Sequence, residues 1–383
     1  TSVGILAHLL NRRRGYRAAG ISRHSANLLE ALARLDGPDR FVAFVGPTGA
    51  PPPAARPAGA GWLRYRVSRL PTGRPLARIG WEQLAAPLAA AGGRLDLLHG
   101  LAYAVPLLAP CPTVVTVHDL SFLRFPELFN RPNRLYLGAV TRLSVARAGK
   151  VIAVSESTRR ELVELLGVPP ARVEVIPNGL EPLFRPLPRD EVERFRRARG
   201  LPERFVLHVG TLEPRKNIPL LVRAYARLRR QGVPHALVLA GGKGWRYEAV
   251  FAEVRALGLG LGEDVLFPGF IPFEEQPLWY NAAAAFAYPS LYEGFGLPPL
   301  ESMACGTPVV VANSSSLPEV VGEAGLTVDS GDEAGLAAAL GRLIEDGALR
   351  ERLRGAGLER AKLFDWNDVA RRTVAVYRCA VEG

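Results

Sequence analysis

The chain has 383 residues, 48% hydrophobic and 22% charged, which is long enough for two separately cored domains and too apolar for a disordered chain. A net charge of +11 invites acidic partners, but all of its 48 basic residues except Lys150, Lys216, Lys243 and Lys362 are arginine, a bias that genome composition also produces. No Cys/His zinc module, aromatic RNA-binding strand motif or continuous basic helix accompanies the charge, so nucleic acid is not an expected partner. Cys111, Cys305 and Cys379 have no metal-like spacing and cannot all pair, which points to a reducing compartment, the cytoplasm.

Taken in chain order, apolar strand-like runs alternate with helical patterns, the order that builds a parallel sheet covered on both faces. In the first half the strands are expected at Val3–Ala7, Phe41–Val45, Leu63–Val67, Leu95–His99, Val114–Val117, Val151–Val154 and Val173–Ile176. The first of these starts at the chain's beginning, where no basic-then-apolar leader is read. The apolar stretch from Leu95 to Val117 is broken by Asp96, His99, Pro106, Pro110 and Pro112, so it reads as two strands and a loop rather than a membrane span. Pro47 to Gly61 is a Pro/Ala/Gly loop without periodicity.

Pro177 to Pro188, with four prolines and a glycine, is the natural hinge between domains. The second half repeats the alternation at Phe205–Val209, Ala236–Ala240, Val265–Phe267, Ala284–Ala287, Val309–Ala312 and Leu326–Val328. The fold class is therefore α/β, two Rossmann-like doubly wound domains over 1–180 and 201–364 joined by a hinge over 181–200. Ligands of such sheets bind at the carboxyl ends of the strands, here in a cleft that the two domains face. Arg12-Arg13-Arg14 and Arg131, Arg134, Arg142 and Arg147 form an anionic-membrane contact if they share a face, and a solvated surface if they do not.

Two segments carry chemistry. In Tyr288-Pro-Ser-Leu-Tyr-Glu293-Gly294-Phe295-Gly296-Leu297-Pro-Pro-Leu-Glu301, Pro298 and Pro299 suit a first helical turn, so Gly294 to Leu297 form a turn whose amides can point at a phosphate. Glu293 and Glu301 flank that turn, and carboxylates there accept hydrogen bonds from hydroxyls. A diphosphate between hydroxyl-rich rings is a nucleotide sugar. In Phe205-Val-Leu-His-Val-Gly210-Thr-Leu-Glu-Pro-Arg215-Lys216-Asn217, a buried strand ends in a glycine turn and a basic pair that can reach the same diphosphate.

These two segments, with Val117-His118-Asp119-Leu-Ser-Phe-Leu-Arg-Phe-Pro126, Val151-Ile-Ala-Val-Ser-Glu-Ser157 and Val175-Ile-Pro-Asn178-Gly179, resemble the retaining glycosyltransferases of family four, of GT-B fold. The resemblance covers nearly the whole chain and is nearest to bacterial mannosyl- and glucosyltransferases of polysaccharide or glycolipid synthesis. It implies that a hexose moves from a nucleotide diphosphate sugar to a hydroxyl of a glycan, glycolipid or small acceptor, and that no cofactor is needed. It also implies that Glu293 contacts the donor sugar, Glu301 the ribose and His118 sugar hydroxyls. It implies further that 1–180 is the acceptor-side domain and 201–364 the nucleotide-sugar-binding domain, with the final helix, 365–383, crossing back to the first.

Arg215, Lys216 and the amides after Gly294 would stabilise the departing phosphate, and with no Asp-x-Asp element in the chain a metal is not required. Asp119 either meets a hydroxyl or caps the following turn. Gly20, in Gly20-Ile-Ser-Arg23, either lies by the donor phosphates and the acceptor, as the family's N-terminal glycine loop does, or simply starts a helix; Ala19 stands where a second glycine is frequent. Phe270 and Ile271 either border the base or belong to the core. A Rossmann oxidoreductase lacks support, because the first turn has no Gly-x-Gly-x-x-Gly. A catalytically inactive nucleotide-sugar-binding protein of the same fold is the remaining alternative.

Overall fold

The computed structural model describes residues 1–11, 20–49 and 62–382, so Arg12-Arg13-Arg14, Ala19 and most of the Pro47–Gly61 loop lie outside the described residues. The chain forms two compact units: Thr1–Gly179 together with the segment from Phe364 onward, and Leu180–Leu363.

The first unit is built on a seven-stranded parallel sheet of β1 (Ser2–Ala7), β2 (Arg40–Val45), β3 (Trp62–Val67), β4 (Leu97–Gly100), β5 (Thr113–Val117), β6 (Lys150–Ala153) and β7 (Val173–Val175), in the order β3-β2-β1-β4-β5-β6-β7. The second is a six-stranded parallel sheet of β8 (Phe205–Val209), β9 (Ala236–Ala240), β10 (Val265–Gly269), β11 (Ala285–Tyr288), β12 (Val309–Ala312) and β13 (Leu326–Val328), in the order β10-β9-β8-β11-β12-β13. Both are doubly wound, and strand order reverses between β1 and β4 and between β8 and β11. Those two reversals are where such sheets receive ligands.

The central strands are apolar along their whole length because helices cover both faces; every residue of β5, β8 and β9 is buried. Pro268 is accommodated because β10 is an edge strand, and its pairing to β9 shifts register between Leu266 and Gly269. All the strands expected from periodicity form, with ends displaced by a residue or two; β4 begins at Leu97 rather than Leu95.

Residues 176–188 lack regular structure, whereas Arg189–Ala198, inside the stretch expected as a hinge, is a helix. That helix stacks Phe195 edge-on against Trp279 at 5.6 Å, within the second unit. The last helix, Trp366–Glu382, joins the first unit's core through Trp366, Val369 and Tyr377, packed with Leu28, Leu32 and Ile5. Gly179 is obligatory there, since a Cβ would lie 2.6 Å from the Trp366 ring.

Candidate active site

In the second unit the chain leaves β8 through Gly210 and passes close beneath the end of β9; a Cβ on Gly241 would fall 1.8 Å from the Gly210 carbonyl oxygen. A short 3-10 turn, Pro214–Lys216, follows, and Asn217 closes it in the left-handed region at φ 53°, a conformation that asparagine tolerates better than most residues. The Asn217 side-chain amide donates to the Ser330 carbonyl at 2.8 Å and locks this turn. Arg215 and Lys216 are thereby fixed at the carboxyl end of β8, beside the end of β11.

Lys216 is buried and its Nζ donates to Glu293 Oε1 and to the Tyr288 hydroxyl, each at 2.6 Å. Arg215 Nη1 donates to Glu293 Oε2 at 2.8 Å and to the Tyr292 carbonyl at 2.7 Å, while its Nη2 reaches Glu213 at 2.8 Å. Ser290 Oγ adds a 2.6 Å bond to Glu293 Oε1. Two cations thus meet two carboxylates. Burial alone would push the Glu293 pKa up, but Arg215, Lys216 and the Ser290 hydrogen bond together bring it down to about 2. Burial and then Arg215 lower the Lys216 ammonium, against the opposing pull of Glu293.

Glu293 opens the second element of the site. Ser316 Oγ donates to the carbonyls of Glu293 at 2.9 Å and Phe295 at 2.5 Å, and the Glu293 N–H donates to Ser315 Oγ at 2.8 Å. These bonds shape the Gly294-Phe295-Gly296 turn before the helix Leu297–Ala304. Gly296 sits at φ 114°, and a Cβ there would lie 2.8 Å from Leu317. Pro298 and Pro299 carry no N–H, so the main-chain donors at this helix end narrow to those of Gly294 to Leu297. Glu301 is buried in the second turn, where its Oε2 accepts from the Tyr280 hydroxyl at 2.8 Å.

Phe270, 53% exposed, lines a cavity of about 410 Å³ with Pro268, Ile271 and Trp279, whereas Ile271 itself is buried. None of Arg215, Lys216, Glu293 and Glu301 lines that cavity.

In the first unit His118 follows β5 and is buried. Its Nε2 contacts the Leu101 carbonyl at 2.7 Å, which makes Nε2 the protonated nitrogen and Nδ1 an acceptor. Burial lowers its pKa to about 4, so the ring is neutral. Asp119 is engaged within the unit: Oδ1 accepts from the Ser121 N–H at 2.9 Å and hydroxyl at 2.6 Å, and Oδ2 from the Tyr103 hydroxyl at 3.2 Å. The turn-capping alternative is the one the geometry displays. Gly20, at φ 56°, is the residue before the helix Ile21–Arg34 and accepts the His24 N–H at 3.0 Å through its carbonyl.

The comparison with known proteins follows this division. The family description "Glycosyltransferase Family 4" matches residues 18–182, and "Glycosyl transferases group 1" matches 190–360. The chain is 34% identical over 268 residues to O-antigen chain mannosyltransferase B of Escherichia coli, covering 69% of this chain and 70% of that protein. The chain belongs to glycosyltransferase family four.

A D-inositol 3-phosphate glycosyltransferase of Acidothermus cellulolyticus is 36% identical over 285 residues, and the transferase spans 62% of its length. Among solved structures, sucrose-phosphate synthase of Thermosynechococcus elongatus aligns with TM-score 0.76 and 26% identity over 98% of both chains. HepE of Anabaena, solved with UDP and glucose, aligns over 98% of the transferase and 99% of its own chain at TM-score 0.74 and 20% identity, which speaks for the GT-B fold.

The sequence reading did not single out Tyr280, Tyr288, Ser290 or His208. His208 donates from Nδ1 to the Ala287 carbonyl at 3.0 Å and stacks on Tyr288, with Nε2 beside the Gly210 Cβ position. Burial, first among the causes, lowers its pKa to about 4. The run Ser314-Ser315-Ser316 after β12 was the available signal for the hydroxyls that fix the glycine turn.

Proposed function

We propose that the protein is a retaining, metal-independent hexosyltransferase that moves mannose or glucose from a nucleotide diphosphate sugar to a hydroxyl of a glycan, glycolipid or small acceptor. The observation that carries this reading is the buried meeting of Arg215, Lys216 and Glu293 beside the Gly294–Leu297 turn, at the strand-order reversal of the second sheet. A diphosphate arriving there competes with Glu293 and Glu213 for guanidinium and ammonium donors, and the glycine-turn amides add fixed dipoles. As the sugar C1–oxygen bond breaks, charge grows on the distal phosphate, and donors already in place stabilise it without reorganising.

In this reading Glu293, released in part from its cations, faces the donor sugar, and Glu301, oriented by Tyr280, accepts from the ribose hydroxyls. The neutral His118 offers Nδ1 to a sugar hydroxyl. The acceptor hydroxyl attacks from the face that the diphosphate leaves, giving its proton to the departing phosphate oxygen and preserving configuration at C1. Similarity to the O-antigen mannosyltransferase favours mannose.

A peripheral contact with the cytoplasmic face of an anionic membrane belongs to the same reading. The helix Arg131–Arg147 exposes Arg131, Leu135, Arg142 and Leu143, while Arg147 is turned to the carbonyls of Leu107 and Ala109 and takes no part. Among the described residues no helix is long and apolar enough to cross a membrane. The test is transfer from GDP-mannose and UDP-glucose in EDTA, with the product anomer read by NMR. Retained configuration supports the reading, an inverted product sinks it, and nucleotide binding without any turnover would favour the inactive alternative.

A further inference from the structure

At the strand-order reversal of the first sheet, beyond the ends of β1 and β4, lies a cavity of about 250 Å³ that the donor chemistry does not use. Its polar lining includes His8, Arg78, Glu82, Tyr103, Tyr136 and Ser25, whose hydroxyl is given to the Ile21 carbonyl, and its apolar walls include Leu6, Ile21 and Val140. That is below the ~300–1,000 Å³ usual for drug-sized ligands, a size suited to one ring.

His8 is 5% exposed, and neither ring nitrogen has a hydrogen-bond partner. An imidazole ordinarily satisfies a donor and an acceptor when buried, so both capacities are left for something that enters the cavity. Its ring is held edge-on to Trp81 at 4.2 Å. Glu82 is presented by an unusual piece of backbone: between the helices Pro75–Gly80 and Ala86–Gly92, residues Trp81–Ala85 form a π turn in which the Ala86 N–H reaches the Trp81 carbonyl. Pro87 cannot donate to a carbonyl four residues back and crowds it, and a wider turn relieves both. Gln83 pins that turn, donating to the Val105 carbonyl at 3.1 Å and accepting the Leu107 N–H at 3.0 Å.

Glu82 is buried, and Arg78 Nε stands 3.8 Å from its Oε1, so the carboxylate and guanidinium offset one another within the lining. Burial pushes the Glu82 pKa up to about 7 against Arg78, and burial followed by Arg78 brings His8 down to about 4. Tyr103 also lines the cavity, and its hydroxyl bonds Asp119, so the cavity adjoins the His118-Asp119 segment.

We propose that this cavity binds one ring of a neutral, polyhydroxylated acceptor, with His8 and Glu82 taking its hydroxyls and the balanced Arg78–Glu82 pair selecting against a phosphorylated ring. The proposal rests on the transferase reading, since an acceptor presupposes a transfer. The apolar walls receive the C–H face of the ring, and the dual donor–acceptor character of a neutral imidazole matches a hydroxyl, which is itself both.

Saturation-transfer NMR at about pH 8, above the Glu82 pKa of about 7 so that its carboxylate balances Arg78, with methyl α-mannopyranoside and myo-inositol 1-phosphate as probes, tests it. The mannoside is expected to receive saturation and the phosphate not to displace it. Glu82→Gln is expected to weaken the mannoside about ten-fold, the loss of one charge-assisted hydrogen bond. Val140→Trp, at a partly exposed helix position, fills the cavity without removing a buried polar group and is expected to abolish saturation. UDP and GDP thermal shifts, which report the second unit, should persist in both variants. Unchanged mannoside saturation in both variants, or preference for the inositol phosphate, overturns the proposal. Failure of UDP and GDP to shift the wild-type protein counts instead against the transferase reading, whatever the mannoside does.

Discussion

Lys216 and Arg215 make different bonds to the same carboxylate, and that difference predicts how each behaves when removed. Lys216 is 7% exposed and holds Glu293 and Tyr288 together, whereas Arg215 also bridges Glu213 and the Tyr292 carbonyl. Lys216→Ala and Arg215→Ala are each expected to cut turnover by about 10²–10³, as loss of a transition-state donor does, with a smaller effect on donor affinity. Separate measurement of kcat and donor Kd checks this, and lost affinity with unchanged turnover would contradict it. The two carboxylates should divide. Glu301→Gln removes a charge-assisted acceptor and is expected to weaken free nucleoside diphosphate by roughly 1.5–3 kcal/mol. Glu293→Gln takes a competitor from the two cations, so nucleoside diphosphate should bind as well or better while transfer falls. Calorimetry with UDP and GDP on both variants distinguishes them; equal responses would refute the proposed pose.

The glycine turn before the helix Leu297–Ala304 carries its own prediction. Gly296→Ala forces a side chain into the left-handed region and against Leu317, at a cost of roughly 1–3 kcal/mol, and should displace the amides that face phosphate. A lower melting temperature with weakened UDP and GDP binding is expected, and intact binding would mean that the turn does not hold phosphate. At this scale the sequence was most legible. Parallel strands buried on both faces write themselves as short apolar runs, so β8 and β9 are read to the residue, and paired prolines after glycine mark a helix start. The hinge was less legible, because the apolar stripe of the helix Arg189–Ala198 amounts to Val192 and Phe195 alone among charged residues, too short to stand out directly after the prolines. Asp119 shows the other limit: a short acid at a strand end serves as turn cap or substrate ligand in the same sequence context, and only coordinates show that Ser121 and Tyr103 bond to it. Partners distant in sequence, such as Tyr280 for Glu301 and Ser316 for Glu293, leave no periodic trace.

Across the whole molecule, all 6 histidines have pKa values lowered by burial: His24 and His99 to about 3, His8, His118 and His208 to about 4, and His235 in the same direction. An unfolded imidazole binds its proton near pH 6.5, so between there and pH 4 the unfolded chain carries more protons and folding weakens as pH falls. Glu82, with its pKa raised to about 7, acts oppositely between pH 7 and its unfolded value of 4.5, one group against six. Glu293, lowered to about 2, gives up its contribution only as pH falls from 4.5 through that value. His8, His24, His99 and His118 all belong to the first unit. Hydrogen exchange at pH 5 compared with pH 7.5 should therefore show protection lost first in the first unit's strands, and equal loss in both would show that these histidines do not control acid stability.

The central claim, that Arg215 and Lys216 stabilise the leaving diphosphate in place of a metal, is tested most directly by single-turnover transfer from GDP-mannose or UDP-glucose in excess EDTA, with wild type and Lys216→Ala side by side. The predicted result is full wild-type transfer in EDTA and a variant slowed by about 10²–10³ at saturating donor. Wild-type activity abolished by EDTA and rescued by magnesium or manganese, or a variant that transfers at the wild-type rate once saturated, would contradict it.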